Sequence, residues 1–145
     1  MGDLKSVIKR GTDAFNSRDE EAARAVMAEN VRMRAPGMPE LTGRDAAMQF
    51  DKVWWAACSD GHADDQVVAV DGNTVLVRGV FSGTHDGVLA TPMGDIPATG
   101  TKLTGEYAWI FRVEDDLVTE AEILFDRLNI MEQLGLVPEP AAAGA

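Results

Sequence analysis

The sequence predicts an α+β domain whose N-terminal helices pack on one face of a curved antiparallel sheet. Three observations carry this. Apolar residues recur at helical spacing up to Cys58, the period changes from 3.6 to 2 after Ser59-Asp60-Gly61, and each later strand has one cleanly apolar side.

The elements follow in order. Leu4, Val7, Ile8, Gly11, Ala14 and Phe15 make residues 3–16 an amphipathic helix. Ser17 followed by Glu20 is a capping-box signature, which starts a second short helix with Ala22, Ala23, Val26 and Met27 on its apolar side. Residues 35–43 are rich in Pro and Gly and form a loop. Thr42 with Asp45 offers a cap for a third helix, whose stripe is Ala47, Phe50, Trp54, Ala57 and Cys58. Trp54 and Trp55 differ by about 100° around that helix, so Trp54 faces the sheet and Trp55 an interface or rim.

Runs 65–70 and 74–84 flank Asp71-Gly72-Asn73, a hairpin signal. Runs 102–113 and 117–125 surround Glu114-Asp115-Asp116 in the same way. A last helix over 126–135 stops at Gly135, with Pro138 beyond it. Residues 1–137 thus form one domain, and the low-complexity tail 138–145 is expected to be flexible.

Strand parity assigns the faces. Tyr107, Trp109 and Phe111 oppose Glu106 and Arg112; Ala121, Ile123 and Phe125 oppose Glu120 and Glu122. Val75, Val77, Gly79, Phe81 and Gly83 oppose Thr74, Arg78, Ser82 and Thr84. The space between sheet and helices is therefore aromatic and nearly free of charge.

Composition narrows the function. Thirteen Lys and Arg against twenty-four Asp and Glu leave a net charge of −11, which repels phosphate backbones and anionic headgroups. Nucleic-acid and membrane partners are not expected. The single Cys58 excludes an internal disulfide, and the N-terminus carries no apolar leader, which suits a cytoplasmic protein. His62-Ala63-Asp64-Asp65 lacks a second His or Cys at ligand spacing and reads as solvated surface, so no metal is expected. Neither a P-loop nor G-x-S-x-G nor G-x-G-x-x-G occurs, so no cofactor is expected.

Several phrases carry a family resemblance. They are Phe15-Asn16-Ser17-Arg18-Asp19, Gly83-Thr84-His85-Asp86-Gly87, Pro97-Ala98-Thr99-Gly100, and the stretch from Thr104-Gly105-Glu106 through Phe111-Arg112-Val113 and Asp126 to Glu132-Gln133-Leu134-Gly135. With this order of elements, the chain resembles the SnoaL-like polyketide cyclases of the nuclear-transport-factor-2-like superfamily. The resemblance implies a cone-shaped fold around an apolar cavity, a hydrophobic polyketide-like or cyclic substrate, and a homodimer formed through the sheet. It also implies an acid–base Asp on the last strand and a His on the strand before. Those two positions hold Ile123 and Trp109 here, so the pair does not carry over.

Three titratable residues remain as catalytic candidates. Odd parity puts His85 beside Phe81 at the cavity rim as a general base, or else its ring holds the strand-to-loop turn. Asp126 is either the N-cap of the last helix or a carboxylate at the cavity base, where the family pattern also has Asp. Tyr107 points inward and could donate to a ligand carbonyl, or it satisfies its hydroxyl on the backbone. Trp54, Phe81, Trp109, Phe111, Ile123 and Phe125 form the expected substrate-binding wall. Two functions fit: a cofactor-free cyclase-, aldol- or isomerase-type enzyme with non-standard residues, and a non-catalytic binder of a hydrophobic ligand. An epoxide-hydrolase or isomerase relative would need an Asp pair inside the cone, which parity does not supply. The loop 86–101 reads as a lid, a binding loop or a partner contact. The outer sheet face mixes Arg78, Glu106, Arg112, Glu120 and Glu122 with Leu76, Ile110 and Leu124, which suits the dimer.

Overall fold

The computed structural model describes residues 3–137; the tail 138–145 lies outside the described residues. Its elements are α1 (Leu4–Ser17), α2 (Glu20–Ala25), β1 (Met27–Arg34), β2 (Leu41–Thr42), α3 (Arg44–Ala57), β3 (His62–Asp71), β4 (Thr74–Thr84), β5 (Leu89–Thr91), β6 (Gly94–Ile96), β7 (Lys102–Glu114), β8 (Leu117–Phe125) and α4 (Arg127–Gln133). Six strands form one sheet in the order β2-β1-β8-β7-β4-β3. The expected α+β class holds, with one correction: the sheet is mixed, because β1 runs parallel to β8. None of the described helices is long and apolar enough to cross a membrane.

The first sixty residues differ most from the sequence reading. Helix α2 is capped by Asp19, whose carboxylate accepts from the Ala22 amide at 3.0 Å, while Ser17 stays inside α1. Val26 ends that helix and Met27 opens β1, so neither belongs to a helical face. Strand β1 has Val31 and Met33 buried and Arg32 and Arg34 out, an alternation of period two. At α3 the expected Thr42 cap is absent, because Thr42 pairs with Arg32 in β2; Gly43 precedes the helix at φ 94. That left-handed value favours glycine, and its carbonyl accepts from the Ala47 amide at 3.0 Å.

The hairpins match their turn signals. Asp71 pairs with Thr74 across Gly72-Asn73. Glu114 pairs with Leu117, and Asp115 and Asp116 between them have φ of 51° and 61°, the geometry of a type I′ turn. The loop 88–98 folds into a hairpin of its own, β5 with β6. Its Leu89 is buried against Cys58, Leu103, Ile130 and Leu134, while Met93 at the tip is 92% exposed.

The phrases singled out in the sequence turn out to be buckles between elements. Asn16 brackets the Ala63 backbone, donating to its carbonyl at 2.9 Å and accepting from its amide at 2.8 Å. Arg18 donates to the carbonyls of Trp55 (2.7 Å) and Cys58 at the end of α3. Trp55 is the joint between α3 and α1, its Nε1 donating to Phe15 O at 2.9 Å. In Gly83-Thr84-His85-Asp86-Gly87, Asp60 accepts from the Thr84 amide (2.6 Å) and Asp86 from the Ser59 amide (2.9 Å). Gly87 donates to Ala57 O, and a Cβ at Gly87 would lie 1.9 Å from Ala56 O, so only glycine allows that approach.

Candidate active site

Between the helices and the concave face of the sheet lies a cavity of about 710 Å³. Trp54, Phe81, Trp109, Phe111, Ile123 and Phe125 all lie on its wall, supplied by α3, β4, β7 and β8. Their rings form two groups. Trp54 sits 5.4 Å from Phe81 and 6.1 Å from Phe125, and Phe81 in turn 6.4 Å from Phe15. On the other side Phe50 meets Trp109 edge-on at 6.0 Å, and Trp109 stacks on Phe111 at 5.0 Å.

His85 is not on this wall. It is fully buried, its Nδ1 is 2.9 Å from Thr99 Oγ1, and its backbone binds Thr99, Gly100 and Thr101. Its Nε2 has no partner among the described residues. His85 departs from strand parity because β4 ends at Thr84 and the chain turns there. The ring therefore pins the 99–101 segment instead of facing a ligand.

Tyr107 does line the cavity, but its hydroxyl is committed. It donates to Asp65 Oδ1 at 2.6 Å rather than to a ligand carbonyl or the backbone. Burial, reinforced by this carboxylate, raises the phenol above its ordinary range. Gly79 makes the arrangement possible: a Cβ there would lie 2.4 Å from both Tyr107 Oη and Asp64 O. Asp126 does both things expected of it, capping α4 through the Asn129 amide (2.9 Å) and lying on the wall.

Three acidic residues of the lining escaped the sequence reading: Asp65, Asp51 and Glu106, which parity had set on the opposite face. Asp65 reaches the cavity because β3 carries a bulge between Asp65 and Val67, so Asp65 pairs with Gly79 while Val67 pairs with Arg78. Its Oδ2 also accepts from Thr12 Oγ1 at 2.6 Å, so two hydroxyls hold the one carboxylate. Asp51 stands on α3 between Phe50 and Trp54, on the wall. No hydrogen bond or ion pair compensates it among the described residues, and burial pushes its carboxyl up to about 7. The signal was present: Asp51 follows Ala47 by four and precedes Trp54 by three, within the apolar stripe.

Cys58 is buried with its thiol pushed up to about 11, which makes it a poor nucleophile. At the α4 end, Asn129 lies on the wall, its Oδ1 accepting from Gln133 Nε2 at 2.7 Å. Gln133 is itself locked to the Thr104 backbone, donating to its carbonyl (2.8 Å) and accepting from its amide (3.0 Å). The hairpin β5–β6 contributes nothing to the wall. No group of three or more His, Cys, Asp or Glu side chains that could hold a metal forms among the described residues.

Comparison with known proteins agrees with this architecture. The chain is similar to a candidate SnoaL-like polyketide cyclase from Jannaschia sp. CCS1, at 20% identity and TM-score 0.82 over 93% of each chain. It is similar to IdmH, a candidate polyketide cyclase from Streptomyces antibioticus, at 26% identity and TM-score 0.78, covering 92% of this chain and 99% of that one. It is also similar to AclR, a candidate hydroxylase from Streptomyces galilaeus, at 16% identity and TM-score 0.79, covering 97% and 89%. Among proteins of curated function, none matches the sequence. The family model of the SnoaL-like polyketide cyclases matches residues 5–134, and the chain belongs to that family.

Proposed function

We propose that this protein is a cofactor-independent enzyme acting on a hydrophobic, polyketide-like or cyclic ketone, with Asp51 as the group that moves the proton. One observation carries the reading: an uncompensated carboxyl on the wall of an aromatic cavity, raised by burial to about 7, where it can both take and return a proton near neutrality. In an aldol-type step, the Asp51 carboxylate removes a proton from the carbon beside a ketone. The resulting enolate carbon forms a bond to a second carbonyl carbon, and the new alkoxide recovers the proton from Asp51. Asn129 supports the step as an amide on the wall that Gln133 holds in one orientation. His85 has no part in it.

A second reading, a binder that does not turn over its ligand, is favoured by Ile123 and Trp109 at the positions where the family's acid–base pair is expected. One experiment separates the two. The protein is incubated in D2O with 2-acetonaphthone, a flat aryl ketone, and deuterium entry at its methyl carbon is followed by NMR. Exchange above the buffer rate that disappears in Asp51→Asn supports the enzyme. Saturable binding without exchange, or exchange unchanged in Asp51→Asn, overturns it.

A further inference from the structure

We infer that the ligand of this cavity is a hydrophobic ring compound bearing a protonated amine, its nitrogen seated against Asp65 among the rings of Phe15, Phe81 and Trp54. The inference rests on reading the cavity as a substrate site and narrows the class of substrate.

Asp51, Asp65 and Asp126 lie on the wall, and no Lys, Arg or His does among the described residues. Glu106 also borders the cavity, but its carboxylate is turned to Arg78 at 2.8 Å. A carboxylate or phosphate ligand would have to enter an apolar space with three acidic groups and no cation to offset its lost hydration. An ammonium would meet partners of opposite charge.

The seat is specific beyond its sign. Each oxygen of Asp65 accepts one hydroxyl hydrogen, from Tyr107 (2.6 Å) and from Thr12 (2.6 Å). Those bonds orient the carboxylate without neutralising it, and a carboxylate has roughly four acceptor sites, so capacity remains. Both hydroxyl protons are spent on Asp65. The polar groups here therefore present acceptors, which suit an ammonium carrying donors only.

Rings complete the seat. Phe15 stands one helical turn after Thr12 on α1, and Phe81 lies two residues along β4 from Gly79, the partner of Asp65. Phe15 and Phe81 are 6.4 Å apart, and Trp54 covers Phe81 at 5.4 Å. Aromatic faces grouped beside a carboxylate attract a desolvated cation through the ring quadrupole. Asp51, one turn before Trp54 on α3, adds a second acid to the lining of the same cavity.

The test uses three probes of one shape: 2-naphthylmethylamine, 2-naphthylmethanol and 2-naphthoate. Their affinities are measured at pH 7 by calorimetry, with Trp54 and Trp109 fluorescence as a second readout. The amine should bind about tenfold or more tighter than the alcohol, and the naphthoate weakest of all. In Asp65→Asn the advantage of the amine should collapse to about twofold or less, while retained alcohol binding shows that the cavity is intact. If the alcohol or the naphthoate equals the amine, the inference is overturned although the cavity remains a ligand site. If Asp65→Asn keeps the full advantage, the seat is overturned. If no probe binds, the reading of the cavity as a substrate site falls, and this inference falls with it.

Discussion

The cavity has two acidic walls that behave differently. On the α3 wall, Asp51 has no described partner and is pushed up to about 7 by burial. On the β3 wall, Asp65 is held by Thr12 and Tyr107, each at 2.6 Å. No donor reaches Asp51 among the described residues, so burial acts on it alone and favours its neutral form. Two hydroxyls fix the Asp65 carboxylate in place. One wall can change its protonation state near neutral pH, and the other supplies a fixed geometry.

Removing the Asp51 carboxyl breaks the contrast most severely. Asp51→Asn should lower 2-acetonaphthone exchange by about 10²–10⁴-fold, the usual contribution of a positioned base. In the unaltered protein the exchange rate should rise with pH through a midpoint near 7, as the carboxyl ionises.

Stability is the next effect. An unfolded chain ionises Asp near its ordinary value of 3.8, whereas the folded carboxyl holds its proton up to about 7. Between those values the folded state binds the extra proton. Stability from this group is therefore complete below the lower value and is lost as pH rises through the higher one. Urea titrations of Asp51→Asn against the parent should show the variant gaining by about 4 kcal/mol at pH 8 and by little at pH 4.

The other wall breaks through its backbone. Gly79→Ala places a methyl 2.4 Å from Tyr107 Oη and from Asp64 O, and the latter cannot swing away. It should cost about 1–3 kcal/mol in urea titration. Tyr107→Phe keeps the ring and deletes one donor to Asp65, so the loss should be smaller, about 1–2 kcal/mol by the same measurement.

Legibility followed the regularity of the backbone. Over 107–111 and 121–125 the period of two held, and Trp109, Phe111, Ile123 and Phe125, with Phe81 on β4, reach the cavity as parity placed them. It failed wherever the backbone left the regular strand. His85 lies one residue past the end of β4, and its parity means nothing there. Val68 and Val70 pair with Val77 and Val75, and counting back from them in steps of two brings Asp64 inside; the bulge exchanges it for Asp65. Nothing local in Asp64-Asp65-Gln66-Val67 announces that extra residue, since a bulge answers to the partner strand and the sheet's curvature. Strand β1 and Asp51 were different cases. The alternation Val31-Arg32-Met33-Arg34 and the place of Asp51 in an apolar helical stripe were both written in the sequence. The first is masked by assigning Val26 and Met27 to a helix, and the second by reading only the apolar members of the α3 stripe.

Strand β7 reaches further than its neighbour: its pairing with β8 begins at Tyr107, so residues 102–106 have β4 on one flank only. An open flank of this kind invites a strand from another molecule to add to the sheet. Gln133 meets it by giving the Thr104 backbone one donor and one acceptor, as a neighbouring strand would. Releasing α4 to admit a bulky ligand would uncover that flank, so how freely the cavity opens and how well the protein stays dispersed are tied to the same amide.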